Sequence, residues 1–172
     1  MALYAIGERT PTIHPTAFVH PDAVLIGDVS VGAEASIWPT AVLRGDTGRV
    51  VVGAQTSIQD GSVLHCTDTL DTLVGARCVI GHRAHLEGCT IEDDSLIGSG
   101  SVVLHGVVVR TGGMVAAQAL VPPGTEVPSG AVAMGVPARI TPDAVPAGLI
   151  ESSVATYVRS AHWYNAELRR IG

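Results

Sequence analysis

The chain of 172 residues has the size of a single domain, with hydrophobic residues at 47% and aromatic residues at only 3%. The core therefore has to be built from Val, Ile, Leu and Ala, which favours a narrow and repetitive interior. The formal net charge is −6, and every basic residue is an Arg without a basic cluster, so nucleic acid and anionic membranes are not expected partners. No apolar segment is long enough to span a membrane and no secretion signal begins the chain, so we expect a soluble, cytoplasmic protein.

A six-residue repeat organises most of the chain. A period of six does not fit an α-helix, but it fits short strands joined by tight turns, each favoured by Gly, Asn or Asp. Three hexads close one triangular coil, and stacked coils bury a continuous aliphatic column. The pattern predicts a mainly β protein, a parallel β-helix over residues 1–140. The recurring aliphatic positions are Val19, Leu25, Val31, Ile37, Leu43, Val52, Ile58, Leu64, Val74, Ile80, Leu86, Ile91, Ile97, Val103, Val109, Val115, Val121 and Val127.

Two interruptions of the repeat and a change at its end complete the predicted elements. The segments Gly45–Val51 and Thr67–Leu73 break the period, and we expect them to bulge outward from the coils. After Arg139 the repeat stops, and apolar residues recur at spacings of three and four within Leu149–Ile171. Residues 141–172 are therefore predicted to form a linker and a C-terminal α-helix packed on the β-helix, within one domain overall.

The register of the repeat places particular polar residues side by side, because equivalent residues of successive coils lie about 4.8 Å apart. Each residue that follows an inward aliphatic residue of the third hexad faces outward. His65 and Glu87 are therefore predicted to be stacked neighbours that can reach one metal ion. The outward column reads Arg44, His65, Glu87 and Leu104.

His82 lies one hexad before Glu87, at a predicted corner that points away from this column. In a threefold assembly a corner of one subunit meets a face of the next, so His82 could complete the ligand set from a neighbour. Two histidines and a carboxylate are typical ligands of catalytic Zn²⁺, and a similar triad binds non-haem Fe²⁺. His85 lies on the same strand as Glu87 and is an alternative third ligand.

The other histidines and the cysteines do not converge in this register. The histidines are therefore predicted to be solvated or structural. The three cysteines are odd in number and form no CxxC pair, so they predict neither disulfides nor a Cys-based zinc site, and we expect them in or near the core. These residues are His14, His20, His105 and His162, with Cys66, Cys78 and Cys89.

Six further motifs stand out: Arg44–Asp46, Ile58–His65, Gly81–His82, Gly88–Ile91, Gly98–Ser101 and Gly135–Arg139. Together they resemble the γ-class carbonic anhydrases and their shorter carbonic-anhydrase-like relatives. The resemblance implies a left-handed β-helix, whereas parallel crossovers are normally right-handed, so the hand comes from the resemblance alone. The generic hexads and the last of these motifs also occur in hexapeptide acyltransferases.

The resemblance also implies a site and assigns roles. In the family, three histidines bind Zn or Fe between two subunits of a homotrimer; two of them match His65 and His82, and Glu87 stands where the third belongs. Gln59 matches a glutamine that contacts the metal-bound water. The remaining matches are Arg44, Asp46 and Asp60, which correspond to interface ion pairs and hydrogen bonds, and Tyr157, which corresponds to a tyrosine leaning over the site.

The implied activity is reversible hydration of CO₂ to bicarbonate by a metal-bound hydroxide at the trimer interface. Glu87 would partly neutralise the metal and make the bound water less acidic, without preventing hydration. Two other functions stay open: an acyltransferase that uses acyl-CoA, and an assembly or binding module that keeps the scaffold without catalysis. Whether Glu87 or His85 is the third ligand stays open as well.

Overall fold

A computed structural model describes residues 1–172 as a parallel β-helix followed by one α-helix. Most strands have only two or three residues because each side of a coil is one hexad long. The strands, in chain order, are β1 (Ala2–Tyr4), β2 (Thr12–Ile13), β3 (Phe18–Val19), β4 (Val24–Val31), β5 (Ser36–Ile37), β6 (Val42–Val52), β7 (Ser57–Ile58), β8 (Val63–His65), β9 (Thr72–Val74), β10 (Val79–Ile80), β11 (His85–Glu87), β12 (Thr90–Ile91), β13 (Leu96–Ile97), β14 (Val102–Val103), β15 (Val108–Val109), β16 (Met114–Val115), β17 (Leu120–Val121), β18 (Glu126–Val127), β19 (Val132–Gly135) and β20 (Ala138–Thr141). The helix α1 spans Leu149–Glu167.

The coils present three faces. The first face consists of β1, β8, β11, β14, β17 and the starts of β4 and β6; the second consists of β2, β9, β12, β15, β18 and the ends of β4 and β6. These two faces form one continuous sheet because β4 and β6 turn the corner between them without a break. The third face consists of β3, β5, β7, β10, β13, β16, β19 and β20. We name the corners by order: first to second face, second to third, and third to first.

The predicted fold class is confirmed, and the solenoid is consistent with the left-handed hand that the resemblance implies. All of the recurring aliphatic positions are buried except Val19, which is partly exposed. They form the centre of one core cluster of 30 buried residues. Four of the six aromatic residues lie between the third face and α1, where Trp38 packs against Phe18, Tyr157 and Tyr164.

The turns at the corners differ in part from the expectation of Gly, Asn or Asp. Long polar residues adopt positive φ at the second corner, including Glu34, Gln55 and Arg77. Left-handed backbone is unfavourable for such residues. Their side chains are stacked and bond to one another, with the Gln55 amide donating to Glu34 at 2.9 Å and Arg77 donating to Asp94 at 2.7 Å. These contacts offset part of the strain.

Both interruptions of the repeat lie at the first corner. Gly27 pairs with Gly45 and Val29 with Val50, so Asp28 alone lies opposite residues 46–49. The first insertion therefore stays within the strand β6 as a bulge. In the second, Glu87 pairs with His65 and Thr90 with Leu73, so residues 88–89 lie opposite 66–72.

The helix α1 packs along the third face against β3, β5, β7 and β10, as expected. Its buried residues are Ile150, Val154 and Ala161. The predicted end at Ile171 is wrong: the helix ends at Glu167, and Leu168 has extended backbone while its N–H still bonds to Tyr164. Leu168 and Ile171 are exposed, so burial of these apolar residues does not support another turn. No helix of the structure has the length and apolar character needed to cross a membrane.

The last coil ends in a hairpin on the third face. Strand β19 pairs in parallel with β16 below it and antiparallel with β20 above it. The direction of pairing therefore reverses at this end of the solenoid.

Candidate metal centre

His65 and Glu87 are neighbours on the first face, as the register predicts. They are paired residues of β8 and β11, and His65 Nδ1 lies 3.0 Å from Glu87 Oε1. Both side chains are mostly buried. Burial acts to raise the pKa of Glu87, but the bonds and charges of His65 and His85 outweigh it and lower that pKa. Glu87 is therefore held as a carboxylate beside imidazole nitrogens.

The other nitrogen of His65 faces Asp46, which lies in the first insertion. His65 Nε2 is 3.0 Å from Asp46 Oδ1, and Arg44 donates to the second oxygen of Asp46. Burial acts to raise the pKa of Asp46, and the bonds from His65 and Arg44 lower it overall. The Arg44–Asp46 pair, which the resemblance matches to interface contacts, is thus also formed within one chain.

Both nitrogens of His65 can donate to carboxylates only when the ring carries two protons. A divalent ion could replace one of these protons, because the nitrogen and the carboxylate oxygen on either side of it are both metal ligands. The donors around the ring are imidazole nitrogens and carboxylate oxygens, a combination that suits Zn²⁺ and Fe²⁺. The residues present therefore fit the metal that the resemblance implies.

The two insertions form the wall of this site. The Arg49 N–H and guanidinium donate to the carboxylate of Asp71 at 2.8 to 3.0 Å, which ties the first insertion to the second. An open cleft of about 490 Å³ lies between residues 44–47 and 65–69, with Glu87 at its edge. The interruptions of the repeat thus produce a concave surface around His65.

The sequence predicts the burial of Cys66 but not its position beside this site. It is buried in the core, as expected, but its sulfur also faces the site. Ligand atoms of Asp46, His65 and Cys66 all lie within 4.8 Å of one another. The available signal was that Cys66 directly follows His65 at the start of an insertion, where the inward side of a coil opens. Burial raises the pKa of the Cys78 thiol and of the Cys89 thiol to about 12.

Contrary to the prediction, His105 lies close to the other residues of this site. His105 Nε2 lies 3.5 Å from Glu87 Oε2, and His85 Nε2 lies 3.3 Å from the same oxygen. The reason is local: Gly88 has φ +60°, and a Cβ there would lie 3.3 Å from His105 Cδ2, so the glycine makes room for the ring. The other three unassigned histidines are remote from this site.

The remaining predicted residues assemble at the third corner instead. His82 is exposed, and its Nδ1 lies 2.9 Å from Asp60 Oδ2. Gln59 is buried behind this pair. Burial, followed by the charge of Asp60, raises the pKa of Tyr157, while a hydrogen bond with Gln59 opposes the rise. Within one chain the width of the first face separates this group from His65 and Glu87.

Comparisons with known proteins agree with this architecture. The model of the bacterial transferase hexapeptide (six repeats) matches residues 71–105. The carnitine operon protein CaiE of Escherichia coli strain K12 is 48% identical over 139 residues, which are 81% of this chain and 71% of CaiE. This chain belongs to the hexapeptide-repeat family that includes CaiE.

Two further relatives of this hexapeptide-repeat chain differ in their described roles. Gamma carbonic anhydrase 1, mitochondrial, of Arabidopsis thaliana is 42% identical over 175 residues, covering 96% of this chain and 63% of that protein. A hexapeptide transferase family protein from Anaplasma phagocytophilum superposes with a TM-score of 0.89 at 34% identity, covering 95% of this chain and 98% of that one. The fold is thus shared between proteins named for lyase chemistry and for transferase chemistry.

Proposed function

We propose that this hexapeptide-repeat protein is a γ-carbonic-anhydrase-like metalloenzyme that reversibly hydrates CO₂ to bicarbonate, with its metal sites between the subunits of a homotrimer. The observation that carries the proposal is the division of the predicted site into two halves at opposite corners of the first face. His65 and Glu87 occupy one half, and His82 with Asp60 occupies the other. Each half is incomplete in one chain and complements the other.

The surface of the first face supports the assembly. An aliphatic column on this face, formed by the residues just before the inward ones and interrupted by His85 between Val63 and Val102, is at least partly exposed. The helix α1, in contrast, covers the third face. Burial of such a column against a neighbouring subunit is favourable, and a rotation about a threefold axis brings the first corner of one subunit to the third corner of the next. Hexapeptide β-helix proteins commonly form trimers. The column consists of Val24, Val42, Val63, Val102 and Leu120.

In this arrangement His65 and Glu87 of one subunit, with His82 of the next, would hold Zn²⁺ or Fe²⁺, and His85 is the alternative to Glu87. Asp60 holds His82 through Nδ1 and leaves Nε2 open toward solvent, as second partners of metal-binding histidines do. A divalent ion at such a site lowers the pKa of a bound water to about 7, which supplies a nucleophile near neutral pH.

The protein side chains would position the reactants. Gln59 is buried beside Tyr157, and its amide could orient an oxygen atom of a reactant. Asp60 keeps His82 in one tautomer. Arg44 bonds to Asp46 and thereby keeps the second carboxylate beside His65. Glu87 adds negative charge, which makes bound water less acidic than three neutral histidines would.

The first experiment measures metal content and CO₂ hydration of protein purified without oxygen. We expect His65→Ala to lose the metal and His82→Ala to lose at least about 100-fold in hydration rate, with the trimer intact. The exposed His162, which bonds to Glu34, provides a matched control, and His162→Ala should behave as wild type. An unchanged metal content in His65→Ala would refute the proposal, and full metal without hydration would indicate a module without catalysis.

A mixing experiment tests the shared site directly. Trimers coexpressed from His65→Ala and His82→Ala chains contain boundaries where both histidines are native, so about a quarter of the wild-type rate should return. Mixing His65→Ala with Glu87→Ala should restore nothing, because both changes affect the same half. Equal recovery in the two mixtures would show that the site is not divided between subunits.

An acyltransferase is the second candidate, and the similarity to the hexapeptide transferase family protein favours it. It predicts that millimolar CoA raises the midpoint of thermal unfolding. No change in that midpoint, with CoA at saturating concentration, would leave the metalloenzyme as the better assignment.

A further inference from the structure

The imidazole of His65 has two sides, and the proposed function uses only one of them. Nδ1 faces Glu87, whereas Nε2 lies 3.0 Å from Asp46 Oδ1. Asp46 Oδ1 in turn lies 3.9 Å from the sulfur of Cys66. Tetrahedral zinc with bonds of about 2.0 Å to nitrogen or oxygen and about 2.3 Å to sulfur separates its ligand atoms by about 3.3 to 3.6 Å. The distances from Asp46 Oδ1 to His65 Nε2 and to Cys66 Sγ therefore need to change by only a few tenths of an ångström. The ligand atoms of His65 and Cys66 lie within 4.8 Å of each other.

We propose that Asp46, His65 and Cys66 form a metal site with a thiolate ligand, complete within one chain. It lies on the Nε2 side of His65 and opens to the cleft between the two insertions. It shares His65 with the site proposed between subunits, the boundary site, but needs neither Glu87 nor a residue of a second subunit.

The surroundings of the sulfur support a thiolate ligand. The N–H of Gly48 points at Cys66 Sγ from 3.0 Å, and the Thr47 hydroxyl lies 3.7 Å from it. Donors directed at sulfur stabilise a thiolate, and they orient sulfur ligands in metal sites. A Cβ on Gly48 would lie 3.3 Å from Cys66 Cβ, so the glycine permits this close approach. The Arg49–Asp71 bonds hold the donor segment in place.

The donor chemistry indicates which ions the triad takes. One thiolate, one carboxylate and one neutral imidazole balance the charge of a divalent ion. A sulfur ligand favours Zn²⁺ and Co²⁺ over Mg²⁺ and Ca²⁺. A neutral imidazole presents one acceptor nitrogen at a time, so the triad and the boundary site are alternatives that together hold one ion per chain.

The test uses Co²⁺, which reports a sulfur ligand by a charge-transfer absorption in the near ultraviolet. Full-length His82→Ala protein, which lacks the boundary ligand, is titrated with Co²⁺. We expect this absorption to saturate at one ion per chain. Adding Cys66→Ser should abolish it and weaken binding at least about tenfold, whereas adding Cys89→Ser should leave it unchanged. Asp46→Asn should weaken binding with the absorption retained.

Absence of the absorption in His82→Ala, or its persistence after Cys66→Ser, would overturn the thiolate site. Two controls check that a loss of absorption does not reflect unfolding. Circular dichroism measures whether Cys66→Ser is folded, and Cys66→Ala removes the sulfur without placing a polar group at this buried position. The two proposals fail separately. Hydration that survives His82→Ala contradicts the boundary site, and loss of all metal in His82→Ala contradicts the triad.

Discussion

The length of the first corner differs between the lower coils, which come earlier in the chain, and the upper coils, which come later. In the upper coils Val102 pairs with Leu120 and Val108 with Glu126, each 18 residues further on. In the lower coils the spacing changes: Val42 pairs with Val63 after 21 residues and Val63 with His85 after 22. The spacing then falls to 17 between His85 and Val102. The other two corners keep a constant length.

The difference shows that the candidate chemistry lies where coil length varies. The lower first corner holds Asp46, His65, Cys66 and Glu87 around a cleft. The same corner of the upper coils has short turns without a comparable group, and the neighbouring charges are exposed ion pairs such as Arg110 with Glu92 and Glu126. A constant core column therefore supports a variable edge, and three predictions test this separation.

The largest expected effect concerns the shared core. Leu64, in a lower coil, and Ile97, in an upper coil, are both fully buried. If the core is uniform, Leu64→Ala and Ile97→Ala should each lower the free energy of unfolding by about 2 to 5 kcal/mol. Urea denaturation measures both. A loss at Leu64 less than half that at Ile97 would show that the insertion-bearing coils are not packed like the regular ones.

An intermediate effect separates the two kinds of turn. A Cβ at Gly45 would lie 2.2 Å from the carbonyl oxygen of Asp28, whereas a Cβ at Gly124 meets nothing within 4 Å but requires φ near +70°. We expect Gly45→Ala to destabilise by about 2 to 3 kcal/mol and Gly124→Ala by about 1 kcal/mol. Thermal unfolding gives the order. The reverse order would mean that the bulge relaxes more easily than the regular turn.

The smallest effect is dependent on pH. The backbone N–H of Arg49, and then its guanidinium, lower the pKa of Asp71 below 3.8. The stabilisation is therefore complete above 3.8 and is lost as the pH falls through the lower folded value. Asp71→Asn should reduce the free energy of unfolding by about 1 kcal/mol at neutral pH.

The wild type and Asp71→Asn should converge in stability in acid. The upper-coil control is Arg110→Ala, which removes two exposed ion pairs and should change stability less than Asp71→Asn does. The role of this ion pair would be contradicted if the difference in the free energy of unfolding between wild type and Asp71→Asn persisted unchanged below the folded pKa of Asp71.

The sequence predicted the fold well because one periodic pattern repeats over more than 100 residues. Inward positions and the stacking of His65 on Glu87 follow directly from that period. The helix α1 follows instead from the spacings of three and four after the repeat ends. The period also placed both interruptions, but it does not specify how an inserted segment folds back. The contact of Asp46 with His65 and the position of Cys66 beside the cleft depend on that folding, so they could not be predicted from the register.

His105 shows the second limit of sequence reasoning. The predicted register assumes that all coils have the same length. The first corner after Glu87 is, however, one residue shorter than the same corner of the next coil. This shortening and the bare backbone of Gly88 let His105 reach the carboxylate. The helix end was missed for a different reason, because Leu168 and Ile171 continue an apolar pattern that no surface of the prism receives.

The hairpin of β19 and β20 has a consequence for solubility. A stack of parallel coils ends in an edge whose free backbone groups could pair with another molecule, and such edges favour fibre growth. On the third face the antiparallel strand β20 takes those hydrogen bonds, and its reversed direction offers no template for another parallel coil. On this face the chain therefore covers the edge of its own stack of coils.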